Sequence, residues 1–329
     1  MSPVKKADAA QILDHLAALK TAPWLGPARA WWPDCLFRVD GMEATARILN
    51  SGALLSRATA TAEGVLLSDA ASPQVIAATS ERWKNYVRLY FRPRTPTQFH
   101  SEGFRRTDEY GLGARCPAPV VMVFDSRQIL VRSDALFSDG NLAANASTGG
   151  DAAFLRGIPF ERVYHDSWFE QADRKTIVFN RHAEVIIPDR MSLDALRFIG
   201  CRSQAEYETL IFLLDITARK NWSNKIGLSV KANLHNRHWS FVEQAVLEAH
   251  QVKFRFNPST KTPGPFNIRM DVIEHAGKRH YWESASYLAN SELSVRLGSM
   301  SEPGPYTATL RIEGDLAYAS RYQATDMLL

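Results

Sequence analysis

Apolar residues recur with helical and strand periods along the first two thirds of the chain. In Ala7–Lys20, isoleucine and leucine return at helical spacing, which predicts a short amphipathic helix. In Tyr86–Phe91, apolar and polar positions alternate, which predicts a half-buried strand. The apolar run in Ala118–Asp125 is typical of a central strand, and Arg181–Ile187 alternates again. These patterns predict an α+β core in which helices flank a sheet.

Local signals predict three further elements. Residues Pro73–Lys84 favour a helix with proline near its first turn, and Phe160–His165 favours a short strand. The segment Ser203-Gln204-Ala205-Glu206 has the spacing of a capping box, so we predict that a helix begins there and continues to about Lys220.

The pattern changes after Asn221, where short strand-like runs follow one another. Ala276-Gly277-Lys278 has the composition of a hairpin turn, and strands at this spacing favour an antiparallel, sandwich-like module. We therefore predict three parts: an amino-terminal helix and linker over residues 1–34, an α+β domain over residues 35–222 and a β-rich accessory domain over residues 223–329.

Composition narrows the class of protein without fixing its partner. Of the 329 residues, 45% are hydrophobic and 22% are charged, which are values of a globular protein with a real core. The formal net charge of +4 permits a nucleic-acid partner but does not require one. The cysteines Cys35, Cys116 and Cys201 lie far apart without a CxxC pair, which argues against a zinc site or a disulfide framework. With no signal-peptide pattern, we expect a cytoplasmic protein.

Two short segments carry the candidate chemistry. Arg94 lies between two prolines directly after a predicted strand, so its backbone is stiffened on both sides. Glu184 is a single carboxylate in a mostly apolar strand. A fixed cation and a carboxylate base are what glycosyl transfer from a nicotinamide dinucleotide needs. The alternatives are a solvated edge strand for the arginine-rich run Arg82–Arg106 and a surface ion pair for Glu184.

A metal site is not expected from these residues. Neither His182 nor Glu184 has further ligand-type residues at metal-binding spacing nearby. The segment His235-Asn236-Arg237-His238 superficially resembles a metal cluster, but it lacks a second carboxylate or histidine at useful spacing, and we interpret it as structural.

Four segments in this order resemble the DarT family, the DNA ADP-ribosyltransferase toxins of DarT–DarG toxin–antitoxin systems. They are Ile48–Leu55, Tyr90–Pro96, Asp139–Asn141 and Arg181–Val185, within a resemblance that extends from about Leu36 to Leu214. The resemblance implies an ADP-ribosyltransferase fold with a split central β-sheet that binds NAD as co-substrate, without a metal. It further implies transfer of ADP-ribose to a base of single-stranded DNA, usually thymidine, and a cognate antitoxin as partner.

The same resemblance implies roles for individual residues. The catalytic residues match Arg94 and Glu184, and Arg94 also lies among the NAD contacts. The remaining NAD contacts match Arg38, Val39, Asp40, Leu55 and Ser56, and the DNA contacts match Arg92, Asn141 and His182. The chain departs from the family at Arg38-Val39-Asp40, where the family often has His-x-Thr, and at Pro96-Thr97, where it often has Pro-Met.

Three alternatives remain open at this point. The same chemistry could modify RNA or protein instead of DNA. The chain could be a non-catalytic nucleic-acid-binding or partner-binding scaffold whose β-rich module does the binding; NAD would then leave its melting temperature unchanged. A metal-dependent nuclease is the third, and chelators would inhibit it.

Overall fold

The structure, a computed structural model, describes residues 3–65, 76–77, 79–110, 113–258, 260–290, 292–298, 300 and 304–323. The chain forms two units, each assembled from three segments. Unit 1 contains Met1–Val39, Ser51–Phe99 and Val121–Ile199, and unit 2 contains Asp40–Asn50, His100–Val120 and Gly200–Leu329. The three-part division at residues 34 and 222 stays a prediction.

The elements of the described residues are numbered in chain order. The α-helices are α1 (Ala9–Lys20), α2 (Met42–Ser51), α3 (Arg57–Ala62), α4 (Glu81–Lys84), α5 (Pro96–Ser101), α6 (Ser126–Ile129), α7 (Ala152–Gly157), α8 (Phe160–Val163), α9 (Arg174–Asn180), α10 (Gln204–Leu213) and α11 (Ile216–Trp222). The strands are β1 (Cys35–Gly41), β2 (Ala53–Leu55), β3 (Tyr86–Tyr90), β4 (Pro119–Asp125), β5 (Leu136–Ser138), β6 (Thr148–Gly149), β7 (Glu184–Pro188), β8 (Arg190–Ser192), β9 (Leu196–Cys201), β10 (Ile226–Leu228), β11 (Val242–Leu247), β12 (Gln251–Phe256), β13 (Phe266–Glu274), β14 (Arg279–Tyr287), β15 (Leu293–Arg296), β16 (Tyr306–Ile312) and β17 (Asp315–Tyr322). Short 3₁₀ turns lie at Pro27–Arg29, Trp32–Asp34, Thr107–Glu109, Leu142–Ala144 and Ser223–Lys225.

A β-sheet is the framework of unit 1. Within unit 1 its neighbouring strands follow the order β9-β4-β1-β3-β7-β5-β6, and β3 pairs antiparallel with both β1 and β7. The expected alternation of β3 is present, since Val87 and Leu89 are buried while Arg88 is half-buried. Because β3 is internal, the solvated edge-strand interpretation of the arginine-rich run is wrong for this strand.

Helices cover the sheet as the periodicity predicts. Helix α1 buries Ile12, Leu16 and Leu19, which recur at helical spacing and share one face. The apolar residues of strand β4 are all buried, as expected of a central strand, and Asp125 at its end is half-buried. Strand β7 begins at Glu184 rather than at Arg181, since the preceding residues form a turn.

Three predicted elements differ from the structure. Residues Phe160–Val163 form helix α8 instead of a strand; the N–H groups of Val163 and Tyr164 donate to carbonyl oxygens four residues back, at 3.1 and 2.8 Å. The helix that begins after Ser203 ends at Leu213, and Asp215 caps a separate helix α11.

The third differing element is the helix predicted over Pro73–Lys84. Part of that range, residues 73–75 and 78, lies outside the described residues, and the described remainder contains the short helix α4.

Two antiparallel sheets build the carboxy-terminal part of unit 2. One has the order β11-β12-β15 and the other β14-β13-β16-β17. Helix α10 packs against β11 and β17, and the hydroxyl of Thr209 accepts a hydrogen bond from the N–H of Ala319 at 3.1 Å. The predicted hairpin turn joins β13 to β14, with Gly277 at φ +89°.

A buried ion network fixes the His235–His238 segment within unit 2. Arg202 and Glu206 pair, with Nε to Oε1 at 3.0 Å, and both are buried. Glu102, which is also buried, accepts the backbone N–H groups of Asn236 and Arg237 at 3.0 and 2.8 Å. These contacts satisfy a buried carboxylate, which is the condition for keeping it in a core.

The predicted fold class is confirmed: an α+β core of sheet and flanking helices is followed by antiparallel β-sheets. None of the helices in the described residues combines the length and apolarity that a membrane-spanning segment needs.

Candidate active site

The pairing of β3 with β7 brings the two predicted catalytic segments to one end of the sheet. Tyr90 lies opposite Glu184, and the N–H of Phe91 donates to the carbonyl of Ala183 at 3.3 Å. Since β3 ends where β7 begins, the turn that carries Arg94 starts beside the strand that carries Glu184.

Glu184 is held from β3 by a two-point ion pair. Its side chain is 1% exposed, and both carboxylate oxygens contact one guanidinium: Arg88 Nε lies 2.5 Å from Oε2, and Arg88 Nη2 lies 2.8 Å from Oε1. A guanidinium fork matches a carboxylate in this way, which fixes both its orientation and its charge.

A turn that follows β5 also acts on Glu184. Asn141 caps the 3₁₀ turn Leu142–Ala144 by accepting the N–H of Ala143 at 3.0 Å, and the backbone of Leu142 lowers the pKa of the Glu184 carboxyl. The N–H of Glu184 donates to Ser138 Oγ at 3.0 Å. Asn141 therefore acts here through the turn that it caps, and a contact with DNA stays a prediction.

Burial and positive charge act on Glu184 in opposite directions. Burial raises the pKa of the Glu184 carboxyl above its ordinary value, while Arg88, Arg38 and the backbone of Leu142 lower this pKa. Burial also lowers the pKa of Arg57, and Arg38 and Arg88 lower it further. Arg88 and Arg38 thus both act on the Glu184 carboxylate, and Arg57 acts on these two arginines. A carboxylate with a raised pKa is a stronger proton acceptor than an ordinary one.

Arg94 combines a strained backbone with a side chain that is held in place. Its φ is +53°, a left-handed value that is rare for a residue with a side chain. Its N–H donates to Gln98 Oε1 at 3.0 Å, and its Nη2 pairs with Asp166 Oδ2. Among the described residues, Nε of Arg94 is buried and has no hydrogen-bond partner. Strained backbone and an unpartnered buried donor are typical of functional sites.

Arg92 is placed differently from Arg94. Its side chain is 1% exposed, and it donates to the backbone carbonyls of Pro93, Val163 and His165 and to Asp166 Oδ1, the last at 2.8 Å. Burial lowers the pKa of Arg92. This burial does not favour the predicted direct contact with DNA, and Arg92 instead holds Asp166 against the turn.

Three of the predicted NAD contacts, like this cluster, belong to unit 1. Arg38 is half-buried on β1, and its Nη1 donates to the carbonyl of Arg88 at 3.3 Å. Val39 follows on the same strand. Ser56 is buried as the N-cap of α3, where its Oγ accepts the N–H of Thr59 at 3.1 Å. Their roles toward NAD stay predictions.

Three other predicted residues have separate placements. Leu55 ends β2, which pairs with β8. Asp40 follows Val39 on β1, is buried and falls in unit 2; the roles of Leu55 and Asp40 toward NAD stay predictions. His182 is buried, with Nε2 3.1 Å from Thr97 Oγ1 and Nδ1 2.9 Å from the carbonyl of Val178. Both ring nitrogens are engaged, as expected of a packed neighbour, and its DNA contact stays a prediction.

The sequence prediction missed three residues of this cluster: Arg88, Arg57 and Asp166. Arg88 carried a signal, since it is a charged residue in the middle of an alternating strand. Arg57 directly follows the predicted NAD contact Ser56, but nothing in the pattern marks it. Asp166 had no signal, because its importance comes from the two arginines that it bridges 74 and 72 residues away.

Within the residues that the structure describes, no group of three or more His, Cys, Asp or Glu side chains is arranged to hold a metal ion. The cluster offers instead guanidinium groups and a carboxylate, which suit a phosphate-containing organic substrate.

Comparison with known proteins identifies a family match. A family model described as "ssDNA thymidine ADP-ribosyltransferase, DarT" matches residues 37–239, which is more than half of the chain. No curated protein matches the chain in sequence.

Solved structures show a more distant likeness. Thermus sp. 2.9 DarT in complex with ADP-ribosylated ssDNA has 14% identity and a TM-score of 0.47, covering 60% of this chain and 94% of that chain. The complex of the same protein with NAD+ has 13% identity and a TM-score of 0.45, covering 60% and 93%. Thermosipho africanus DarTG in complex with ADP-ribose has 15% identity and a TM-score of 0.48, covering 65% and 53%. The roles of individual residues stay predictions.

Proposed function

The chain belongs to the DarT family of NAD-dependent ADP-ribosyltransferases that act on single-stranded DNA, and we propose that its target is a thymidine base. We propose further that the protein is the toxin of a toxin–antitoxin pair and that a cognate antitoxin protein restrains it. Family membership supports both proposals and disfavours a non-catalytic scaffold. The observation that carries the assignment of the site is the buried, arginine-clamped Glu184 beside the strained turn of Arg94.

The residues present fit NAD as co-substrate. Arg38, Arg57 and Arg88 lie close enough together to lower the pKa of Arg57, and a pyrophosphate would relieve this repulsion. The buried, unpartnered Nε of Arg94 supplies a donor for a further anionic group. Because Arg88 is already paired with Glu184, we assign the pyrophosphate to Arg38 and Arg57.

The proposed chemistry divides between Glu184 and Arg94. NAD supplies an electrophilic ribose carbon and nicotinamide as leaving group, so the bond from a base nitrogen to that carbon forms as the bond to nicotinamide breaks. Glu184 accepts the proton from the attacking nitrogen and orients a ribose hydroxyl. Arg94, held by its turn and by Asp166, stabilises negative charge on the phosphate or on the base in the transition state.

Mass spectrometry of mixed-sequence single-stranded DNA, incubated with protein and NAD, tests this function. The wild type should add one ADP-ribose unit to thymidine, and Glu184→Gln should slow the reaction by about 10²-fold or more, because a positioned general base contributes that much. Glu161→Gln, which changes an exposed glutamate on α8, is the matched control and should react at the wild-type rate.

Two results would contradict the proposal. DNA modified at the wild-type rate by folded Glu184→Gln protein would remove Glu184 from the mechanism. An adduct on RNA or protein with none on DNA would show that the acceptor is wrong. The toxin role is tested separately: induced expression of the wild type should arrest bacterial growth, and Glu184→Gln should not.

A further inference from the structure

Arg88 is the residue of this cluster that no part of the proposed chemistry yet uses. It lies at the centre of β3, an internal strand, and not at a sheet edge where arginines commonly extend into solvent. Its side chain is 22% exposed, whereas that of Glu184 is 1% exposed. A cation has therefore been placed within the sheet directly against the proposed general base.

The geometry of the pair restricts what Glu184 can do. An ionised carboxylate offers about four acceptor positions, and Arg88 Nε and Arg88 Nη2 occupy one on each oxygen. The carboxylate can thus face a substrate with about one remaining position on each oxygen. Arg88 determines where these positions point, because its fork fixes the plane of the carboxylate.

We propose that Arg88 is a positioning residue for ADP-ribosyl transfer, which orients the Glu184 carboxylate and keeps it ionised so that it can accept a proton. This inference rests on the proposed function of Glu184. Arg88 itself is not required to touch NAD or DNA.

The other charged and titratable groups around Glu184 do not replace Arg88. From β3, Tyr90 lies opposite Glu184 in the strand register, and from β1, Arg38 also lowers the pKa of the carboxyl. Arg57 at the start of α3 acts on Arg38 and Arg88, and His182 precedes β7 with both ring nitrogens engaged. Of these groups, Arg88 exerts the largest pKa-lowering effect on the buried carboxyl.

The sign of the expected effect follows from the charge. Burial already raises the pKa of Glu184, and Arg88 opposes this rise. Removing the guanidinium leaves burial less opposed, so Glu184 stays protonated up to a higher pH. The acidic limb of the pH profile of kcat/KM should therefore move to higher pH.

The test uses Arg88→Gln and Arg88→Lys in the full-length protein. Proteins labelled with ¹³C at the glutamate carboxyl are titrated by NMR, and the Glu184 signal is assigned by its absence in Glu184→Gln. In Arg88→Gln we expect the titration midpoint of Glu184 and the acidic limb of the pH profile of kcat/KM to shift together to higher pH, by about one pH unit or more. Activity at neutral pH should fall and recover partly at higher pH. Arg88→Lys keeps the charge but loses the fork. In this variant the titration midpoint of Glu184 should lie between those of the wild type and Arg88→Gln, while kcat stays reduced.

The matched control is Arg132→Gln. Arg132 also makes a two-point contact with a carboxylate in unit 1, since its Nε and Nη2 lie 2.9 and 2.7 Å from Asp134. Its loss removes an equal charge without touching Glu184, so the Glu184 midpoint should not move.

Distinct results would overturn the proposal. An unchanged Glu184 midpoint in folded Arg88→Gln would refute the electrostatic role. If Arg88→Gln does not fold, Arg88→Lys decides, and a wild-type kcat and pH profile in that variant would refute positioning by the fork. A wild-type protein that modifies no DNA would refute the proposed function instead, because the NMR titration reports on Arg88 and Glu184 without any turnover.

Discussion

Asp166 joins the two arginines of the Arg92–Thr95 turn, and its substitution by asparagine should weaken both stability and catalysis. Oδ1 accepts from Arg92 Nη2 at 2.8 Å, and Oδ2 accepts from Arg94 Nη2. Asp166→Asn keeps the size of the side chain but removes the charge, and it turns one acceptor into an amide donor that faces a guanidinium.

The magnitude follows from how much each partner depends on Asp166. Hydrogen bonds to charged groups contribute about 1.5–3 kcal/mol each. Arg92 retains three backbone carbonyl acceptors, whereas the ion pair with Asp166 is the contact that holds the Arg94 guanidinium. Because the Asp166 side chain is 25% exposed, water screens part of the loss. We expect the free energy of unfolding to fall by about 1–3 kcal/mol.

The rate of DNA modification should fall because Arg94 loses its ion pair with Asp166. A loss of about 1.4–2.8 kcal/mol of transition-state stabilisation lowers kcat/KM about 10- to 100-fold. The assays are urea unfolding followed by circular dichroism and initial rates of DNA modification over a range of NAD concentrations. Refolding and structure should otherwise be unaffected, since no backbone group loses a partner.

Asp134→Asn provides the matched control. Asp134 accepts two hydrogen bonds from Arg132 in the same unit, and its side chain is 41% exposed. A surface pair of this kind contributes about 0–1 kcal/mol, so stability should change little and kcat/KM not at all. Equal results for Asp166→Asn and Asp134→Asn in both assays would contradict the role assigned to Asp166.

Two further predictions concern packing and pH. A Cβ at Gly140 would lie 2.2 Å from Phe179 Cε1, so Gly140→Ala should destabilise the protein by about 1–3 kcal/mol in urea unfolding, whereas Gly157→Ala, with nothing within 4 Å of the new Cβ, should not. Burial lowers the pKa of His235 to about 4 from an ordinary 6.5. Below pH 6.5 the His235 side chain is therefore protonated in the unfolded chain but stays neutral in the folded chain. The free energy of unfolding should fall as the pH drops toward 4, by about 2 kcal/mol between pH 7 and pH 5. His235→Gln should lose this component, and an unchanged pH dependence in that variant would show that His235 is not its source.

Local patterns in the sequence correctly predicted much of the fold. The alternation of β3, the apolar run of β4 and the face of α1 all follow from side-chain period, which depends only on neighbours in the chain. The hairpin at Gly277 follows from turn chemistry. The strand prediction for Phe160–Val163 is wrong because a run this short fits both the strand period and the helix period. The buried residues Phe160 and Val163 are three positions apart, which is the spacing of a helix.

The chain by itself therefore determined the fold class, the family and the two residues most central to the proposed chemistry, Arg94 and Glu184. Only the tertiary structure decided what surrounds them. It placed Arg88 against Glu184 across 96 residues of sequence and joined Arg92 and Arg94 through Asp166, with Arg92 1% exposed and Arg94 18% exposed. The physical reason is that burial and ion pairing are set by contacts between distant segments, and these contacts decide where a charge is shielded from water and which partner neutralises it.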